Sequence, residues 1–334
     1  MNIGIVAPSS QVPQIELSLG VKKIREAGFG VHVHSQCKKS HLFFAGDDSS
    51  RAQAFYEYAL DSDIDVIWCA RGGYGSVRLL PLLEKLTQKK GVPRPKLLAG
   101  YSDVTALMGF VQKHWGWQTL HCPLPSLRKF SILPEQDWEL ICGWMEKKKV
   151  NAHWEKKKLK AWGVSLKERV EGELVGGNLT VWSSLIGTPY EIAAQGKLVF
   201  FEDVDEALYR VDRMLQQLLL SGSLRGARAI VLGNFLNCKD YAASVLNRKP
   251  EGRKSRQLLE APQAKDLKAL RKTYEAGSGL KKIWSELGLS LGIPVVFGLP
   301  VGHGPEVSPL PLGARYELTS EGQLKLLSWQ WLEG

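Results

Sequence analysis

One serine of this 334-residue chain stands where a nucleophile could be held. Residues 96–112, KLLAGYSDVTALMGFVQ, read as an apolar strand ending at Gly100, a bend at Ser102, and a helix with Asp103 and Thr105 in its first turn. A sharp strand–turn–helix exposes a serine oxygen beside a helix N-terminus, where N–H groups without intrahelical partners can stabilise an oxyanion. Val104 takes the last position, so the spacing departs from G-x-S-x-G. The same residues also suit a serine that only caps the helix.

A nucleophilic serine needs a base, and the base needs a carboxylate to fix its tautomer. Of seven histidines, His303 has the most telling surroundings, GLPVGHGP, where flanking glycines let the backbone approach another element closely. His32 and His34 lie in a strand pattern and His153 in a lysine-rich stretch, while His121, just after an early strand, is the rival base. Glu202 ends the strand pattern KLVFF; Asp203 and Asp205 suit helix capping better. The chain order Ser102, Glu202, His303 is one that convergent triads use. Gly72, Gly73 and Gly75 surround Tyr74 in a loop whose N–H groups could form an anion-binding nest or only a tight turn. Neither GxGxxG nor GxxxxGK[ST] is present, so an oxyanion hole explains the loop better than a nucleotide.

The elements that must position these residues follow from hydrophobic periodicity. Strand patterns at 3–7, 30–34, 66–70, 96–99 and 118–121 alternate with helical patterns at 14–27, 50–59, 76–86 and 103–115. That alternation predicts an α/β fold with a parallel sheet covered on both faces. Its chemistry should gather at the carboxyl ends of the strands, where Ser9-Ser10, the glycine loop and Ser102 all fall. Residues 1–145 are expected as an N-terminal domain carrying the nucleophile and 146–168, rich in lysine, as a connection. Residues 169–334 form the expected second domain, with strands at 172–178, 197–201, 229–232 and 295–298 and a long helix at 206–220.

Composition narrows the class. A hydrophobic fraction of 44% is enough for each half to bury a core. No run approaches the roughly 18 to 20 apolar residues of a membrane span. The chain opens on a strand, MNIGIVAPSS, which argues against export, and its five scattered cysteines argue against zinc and disulfides and for a reducing, cytoplasmic setting. The net charge of +10 is uneven: residues 248–282 hold eleven lysines and arginines against four acids. A solvated basic insertion near 238–282 is the expected reading, since no nucleic-acid motif accompanies the charge.

Together these residues resemble a known family. IVAPS (5–9), AGDDS (45–49) with Arg51, ARGGYG (70–75) and GYSDVT (100–105) are similar to the N-terminal signatures of LD-carboxypeptidases. GGNL (176–179), FEDVDE (201–206) and PVGHG (300–304) resemble those of the C-terminal domain. The resemblance implies a flavodoxin-like N-terminal domain, a swivelling C-terminal β/α domain, and a homodimer. It implies hydrolysis without metal or cofactor of the bond before a terminal D-alanine in murein tetrapeptides, during cytoplasmic wall recycling. Ser102 would be the nucleophile, His303 the base, Glu202 its orienting carboxylate, and the N–H groups of Asp103 and Gly73, or Gly72, the oxyanion hole. Tyr74 and Asn178 are expected to contact substrate. Microcin-immunity peptidases, which use the same triad on peptidyl-nucleotides, are the alternative, and a muropeptide-binding protein without turnover is a further one.

Overall fold

The structure is a computed structural model describing residues 1–238 and 278–333. The basic insertion expected near 238–282 therefore lies largely outside the described residues.

Five parallel strands form the first sheet: β1 (Asn2–Val6), β2 (Gly30–Val33), β3 (Val66–Cys69), β4 (Leu97–Gly100) and β5 (Gln118–His121). Their spatial order, 2-1-3-4-5, is the flavodoxin-like order. β3 and β4, VIWC and LLAG, are buried at every position, as strands covered on both faces must be. The cover comes from α1 (Gln14–Glu26), α2 (Asp48–Leu60), α3 (Leu80–Lys90) and α4 (Thr105–Trp115). In α1 the buried residues Leu17, Gly20, Val21 and Ile24 recur at helical spacing, and a Cβ on Gly20 would stand 2.1 Å from the Pro125 carbonyl oxygen. α5 (Glu135–Met145) follows β5.

The second sheet runs β13-β12-β7-β8-β9-β10-β6. Its parallel centre is β7 (Val170–Asn178), β8 (Leu198–Val204), β9 (Ala229–Leu236) and β10 (Pro294–Phe297). The helices are α6 (Leu179–Ser184), α7 (Leu208–Ser221) and α8 (Ser278–Leu291). β6 (Lys160–Gly163) pairs antiparallel with β10, so the stretch expected as a connection also supplies an edge strand. β12 (Arg315–Leu318) and β13 (Leu324–Ser328) close the other edge.

The main core runs through both sheets. β11 (Leu310–Leu312) leaves the C-terminal part and pairs antiparallel with β5, placing Leu310 opposite His121. Leu174, Phe200, Val301 and Tyr316 pack in the same cluster as Ile5, Trp68 and Leu98. A second, smaller cluster lies under α7 and α8, around Phe201, Val211, Leu215 and Trp284. The carboxyl ends of β1, β3 and β4 thus face those of β7 and β8 across a seam. Asn178 N–H donates to the Thr105 hydroxyl at 3.0 Å across it.

Gly177 is required for that approach, and Gly176 for the close pairing of β7 with β8 behind it. Both have positive φ (+143° and +141°); a Cβ on Gly176 would lie 1.9 Å from the Phe200 carbonyl oxygen, and one on Gly177 would lie 2.4 Å from the Thr105 hydroxyl. Gly176→Ala should therefore combine backbone strain with a clash against backbone, costing about 3 kcal/mol or more. Urea unfolding measures it, and a loss under about 1 kcal/mol would contradict this packing.

Candidate active site

Ser102 begins a 3-10 turn (Ser102–Val104) that runs into α4 directly after β4. Its φ of +64° is the conformation that β-carbon sterics disfavour, and such strain persists only where surrounding structure enforces it. Here Asp103 enforces it. Its carboxylate accepts from the Ser9 hydroxyl at 2.5 Å and the Ser76 N–H at 2.8 Å, while the Ser76 hydroxyl donates to its carbonyl. One buried residue thereby ties the loops after β1, β3 and β4 together.

The glycine loop lies against the serine. A Cβ on Gly72 would stand 3.2 Å from Ser102 Oγ, and one on Gly73, at φ +102°, would stand 2.3 Å from the Ser10 hydroxyl. Side chains at either position would fill the space where an oxyanion must sit or displace the neighbouring loop. Arg51, fully buried, holds this loop from behind by donating to the carbonyls of Pro8 and Gly75 and stacking over the Phe44 ring at 4.5 Å. Asp48 pairs with both Arg51 and Arg78. Tyr74 is about half exposed, and its N–H donates to Ser10 Oγ at 3.3 Å.

Glu202 is fully buried. The sequence pattern places it at the end of β8, but the strand continues to Val204, and the β8–β9 register shifts between Phe201 and Asp203. This irregularity, opposite Gly233 and Asn234, puts Glu202 where its neighbours on β7 and the 298–304 loop converge. Its Oε2 meets His303 Nδ1 at 2.6 Å and accepts the His303 N–H at 3.2 Å. Gly302, at φ +113°, makes room: a Cβ there would stand 2.6 Å from that same Oε2. Burial alone would push the Glu202 carboxyl up. The charge and hydrogen bond of His303, with His121 adding to them, outweigh burial and hold it well below the usual carboxylate range.

Asn178 has its polar atoms engaged by protein. Its amide donates to Asp203 Oδ1 at 2.9 Å and to Glu202 Oε1 at 3.4 Å, and its carbonyl caps α6 through the Val181 N–H at 3.1 Å. Asp203 accepts from the Thr180 N–H and hydroxyl. Burial, then the charge of Glu202, pushes the Asp203 carboxyl up to about 6 against these bonds.

Tyr101, the residue before Ser102, brings the first sheet against His303. The Tyr101 ring, buried, lies 4.6 Å from the His303 ring and 5.5 Å from that of His121. Among the described residues Ser102 Oγ makes no hydrogen bond to His303; reactive pairs are often loose before substrate binds. His121, the rival base, is buried beneath the site, with Nε2 3.9 Å from Glu202 Oε1, which is ion-pair range and too long for a hydrogen bond. Ser102, Gly73, Tyr74, Asn178 and Asp203 line one cleft of about 260 Å³. No group of three or more His, Cys, Asp or Glu among the described residues is arranged to hold a metal, and no described helix is long and apolar enough to cross a membrane.

With this geometry in hand, comparison with known proteins is decisive. Residues 3–122 match the LD-carboxypeptidase N-terminal domain and residues 171–318 the LD-carboxypeptidase C-terminal domain. The chain belongs to the LD-carboxypeptidase family. It is a hydrolase, a carboxypeptidase of the serine type. The murein tetrapeptide carboxypeptidase of Pseudomonas aeruginosa is 28% identical over 314 residues, covering 93% of this chain and 91% of that protein. The crystal structure of muramoyltetrapeptide carboxypeptidase from Oxalobacter formigenes superposes with a TM-score of 0.70 at 29% identity, covering 98% and 99% of the two chains. The microcin C7 self-immunity protein MccF of Escherichia coli is 25% identical over 253 residues, 68% of this chain and 72% of its own. A structure of MccF shares the fold, with a TM-score of 0.74 at 22% identity over 98% and 96% of the chains.

Within this LD-carboxypeptidase the two adjacent acids should titrate with opposite effects on stability. Asp203 has a native value raised from 3.8 to about 6, so its ionisation destabilises the fold as pH rises through that interval. The stabilisation from Glu202 is present above its unfolded 4.5 and is lost as pH falls below that value toward its depressed native one. Carboxyl carbon NMR should show a titration near pH 6 that vanishes in Asp203→Asn. It should also show a carboxylate still ionised below pH 3.8 that vanishes in Glu202→Gln. An Asp203 midpoint at or below 3.8 would overturn the assignment.

Proposed function

We propose that this protein removes the terminal D-alanine from murein tetrapeptides in cell-wall recycling, using Ser102, His303 and Glu202 as a catalytic triad. The observation that carries the reading is the short buried contact between Glu202 Oε2 and His303 Nδ1, with the His303 ring 4.6 Å from that of Tyr101, the residue before the strained Ser102. With Nδ1 engaged by the carboxylate, Nε2 is the free nitrogen for proton transfer. The names of the Pseudomonas and Oxalobacter relatives support the substrate.

Ser102 Oγ attacks the carbonyl before the D-residue, and its proton passes to His303 Nε2. The oxyanion forms against the N–H of Asp103, at the start of the 3-10 turn that leads into α4, and the N–H of Gly73 or Gly72. His303 then protonates the leaving nitrogen, and D-alanine departs. Water, deprotonated by the same imidazole, hydrolyses the acyl-serine and restores both groups. Glu202 remains ionised throughout and stabilises the imidazolium, which suits its depressed carboxyl. Asn178 acts by orienting Glu202, and Tyr74, on the rim, meets the peptide. The assignment of residues 1–145 and 169–334 as two domains, the homodimer and the cytoplasmic setting belong to the same reading.

Incubation with murein tetrapeptide should yield tripeptide and free D-alanine by mass spectrometry. Ser102→Ala should lower kcat by about 10⁴-fold or more, since triad members act as a unit. Glu202→Gln should lose a comparable factor with KM little changed. Turnover of a peptidyl-adenylate analogue in place of the tetrapeptide would move the protein to the microcin-immunity branch. Tight tetrapeptide binding by the wild type without product would make it a binding protein.

A further inference from the structure

One cation beside the site has no part in this chemistry. Lys129 sits on a 3-10 turn, Arg128–Phe130, soon after β5. The turn is anchored by Phe130, which is buried and packs edge-on against Trp68 at 5.3 Å and Trp138 at 5.7 Å. From this anchor the Lys129 ammonium reaches back to stand 5.5 Å from the centre of the Tyr101 ring, whose own ring faces His303. Among the described residues it forms no hydrogen bond and no ion pair. Burial brings its amine down to about 8, with the charge of Glu202 opposing, and Glu202 is already engaged by His303. A half-buried ammonium without a counter-ion is costly unless a ligand supplies one.

The leaving group tells where an anion must lie. On the reading above, His303 protonates the departing nitrogen, and the terminal carboxyl carbon is only two bonds, about 2.5 Å, from that nitrogen. The carboxylate therefore falls on the His303 side of Ser102. The cleft beside Ser102 carries Asp203 and Glu206, which would repel it. Arg71 opens on a separate depression with Ser10, Gln11 and Phe43. We propose that Lys129 binds the terminal carboxylate of the departing D-amino acid and is the residue that restricts this enzyme to carboxyl-terminal cleavage. It is a specificity residue that rests on the proposed D-alanine-releasing activity without being part of the triad.

The test compares L-Ala-γ-D-Glu-L-Lys-D-Ala with its C-terminal amide on wild type, Lys129→Met and Lys129→Arg. Lysine at the third position leaves the terminal carboxylate as the sole anionic difference between the two peptides. Wild type should prefer the free acid. Lys129→Met should reduce that preference about 10- to 100-fold in kcat/KM, the worth of one charge-assisted hydrogen bond, and Lys129→Arg should retain part of it. An unchanged preference, equal losses on both peptides, or no preference in wild type would overturn the proposal. Lys129→Gln replaces Lys129→Met should the latter fail to give a cooperative melt. Calorimetric binding of both peptides to Ser102→Ala, with and without Lys129→Met, supplies an arm that needs no turnover. An acid preference lost with Lys129 supports the proposal there, and one that is absent or survives the substitution overturns it. Absence of D-alanine release by wild type would instead sink the proposed murein tetrapeptide activity.

Discussion

The carboxylate of Glu202 is a full charge placed where no water reaches it, and the surrounding structure is arranged to make that tolerable. An isolated buried carboxylate costs several kcal/mol, and its usual response is to take up a proton. Here the contact with His303 reverses the direction of the shift, so the group stays ionised. The Glu202–His303 contact needs the register shift in β8, the side-chain-free Gly302, and the Asn178 amide on the other carboxylate oxygen. The neighbouring Asp203 bears part of the consequence, since the Glu202 charge helps push its own carboxyl up. Breaking the contact would leave an unpaired charge in the core as well as an idle base.

The position of Ser102 relative to that pair depends on how the two sheets meet. Ser102 is held on the first and Glu202 and His303 on or just beyond the second, so any change at the seam alters the site. The seam is not a flexible hinge between two separate cores, because β11 crosses it to pair with β5 and one apolar cluster runs through both halves. On the first sheet, Asp103 and Arg51 gather the loops after β1 and β3 behind the nucleophile. That scaffold is what sustains the positive φ of Ser102.

Most of the parallel sheet was legible from residue types. The first five strands and the helices between them lie within a few residues of the periodic patterns, because fully buried strands such as VIWC leave an uninterrupted apolar run. The second sheet was less legible at its edges. β6 is polar and short, lies in a lysine-rich stretch, and is a strand only because β10 offers it a partner. β11, three residues containing a proline, gives no local sign that it completes the other sheet.

For the site, the residues that could be read directly were those that do something unusual to the backbone or stand at its turns. Gly72, Gly73, Gly176, Gly177 and the glycines around His303 mark close approaches and positive φ, which the sequence alone signals because few other residues tolerate them. Which partners those approaches serve was decided only by tertiary structure. Arg51 reads as a polar helix residue, yet it is buried behind the glycine loop. Asn178, expected to contact substrate, lines the cleft, and only the fold shows that its amide also donates to Glu202 and Asp203. Lys129 has no local signal in the sequence, and only its approach to the Tyr101 ring, itself tilted against His303, gives it a place. Local sequence dictates backbone shape within a turn or two, whereas the charge and company of a side chain depend on residues a hundred or more positions away.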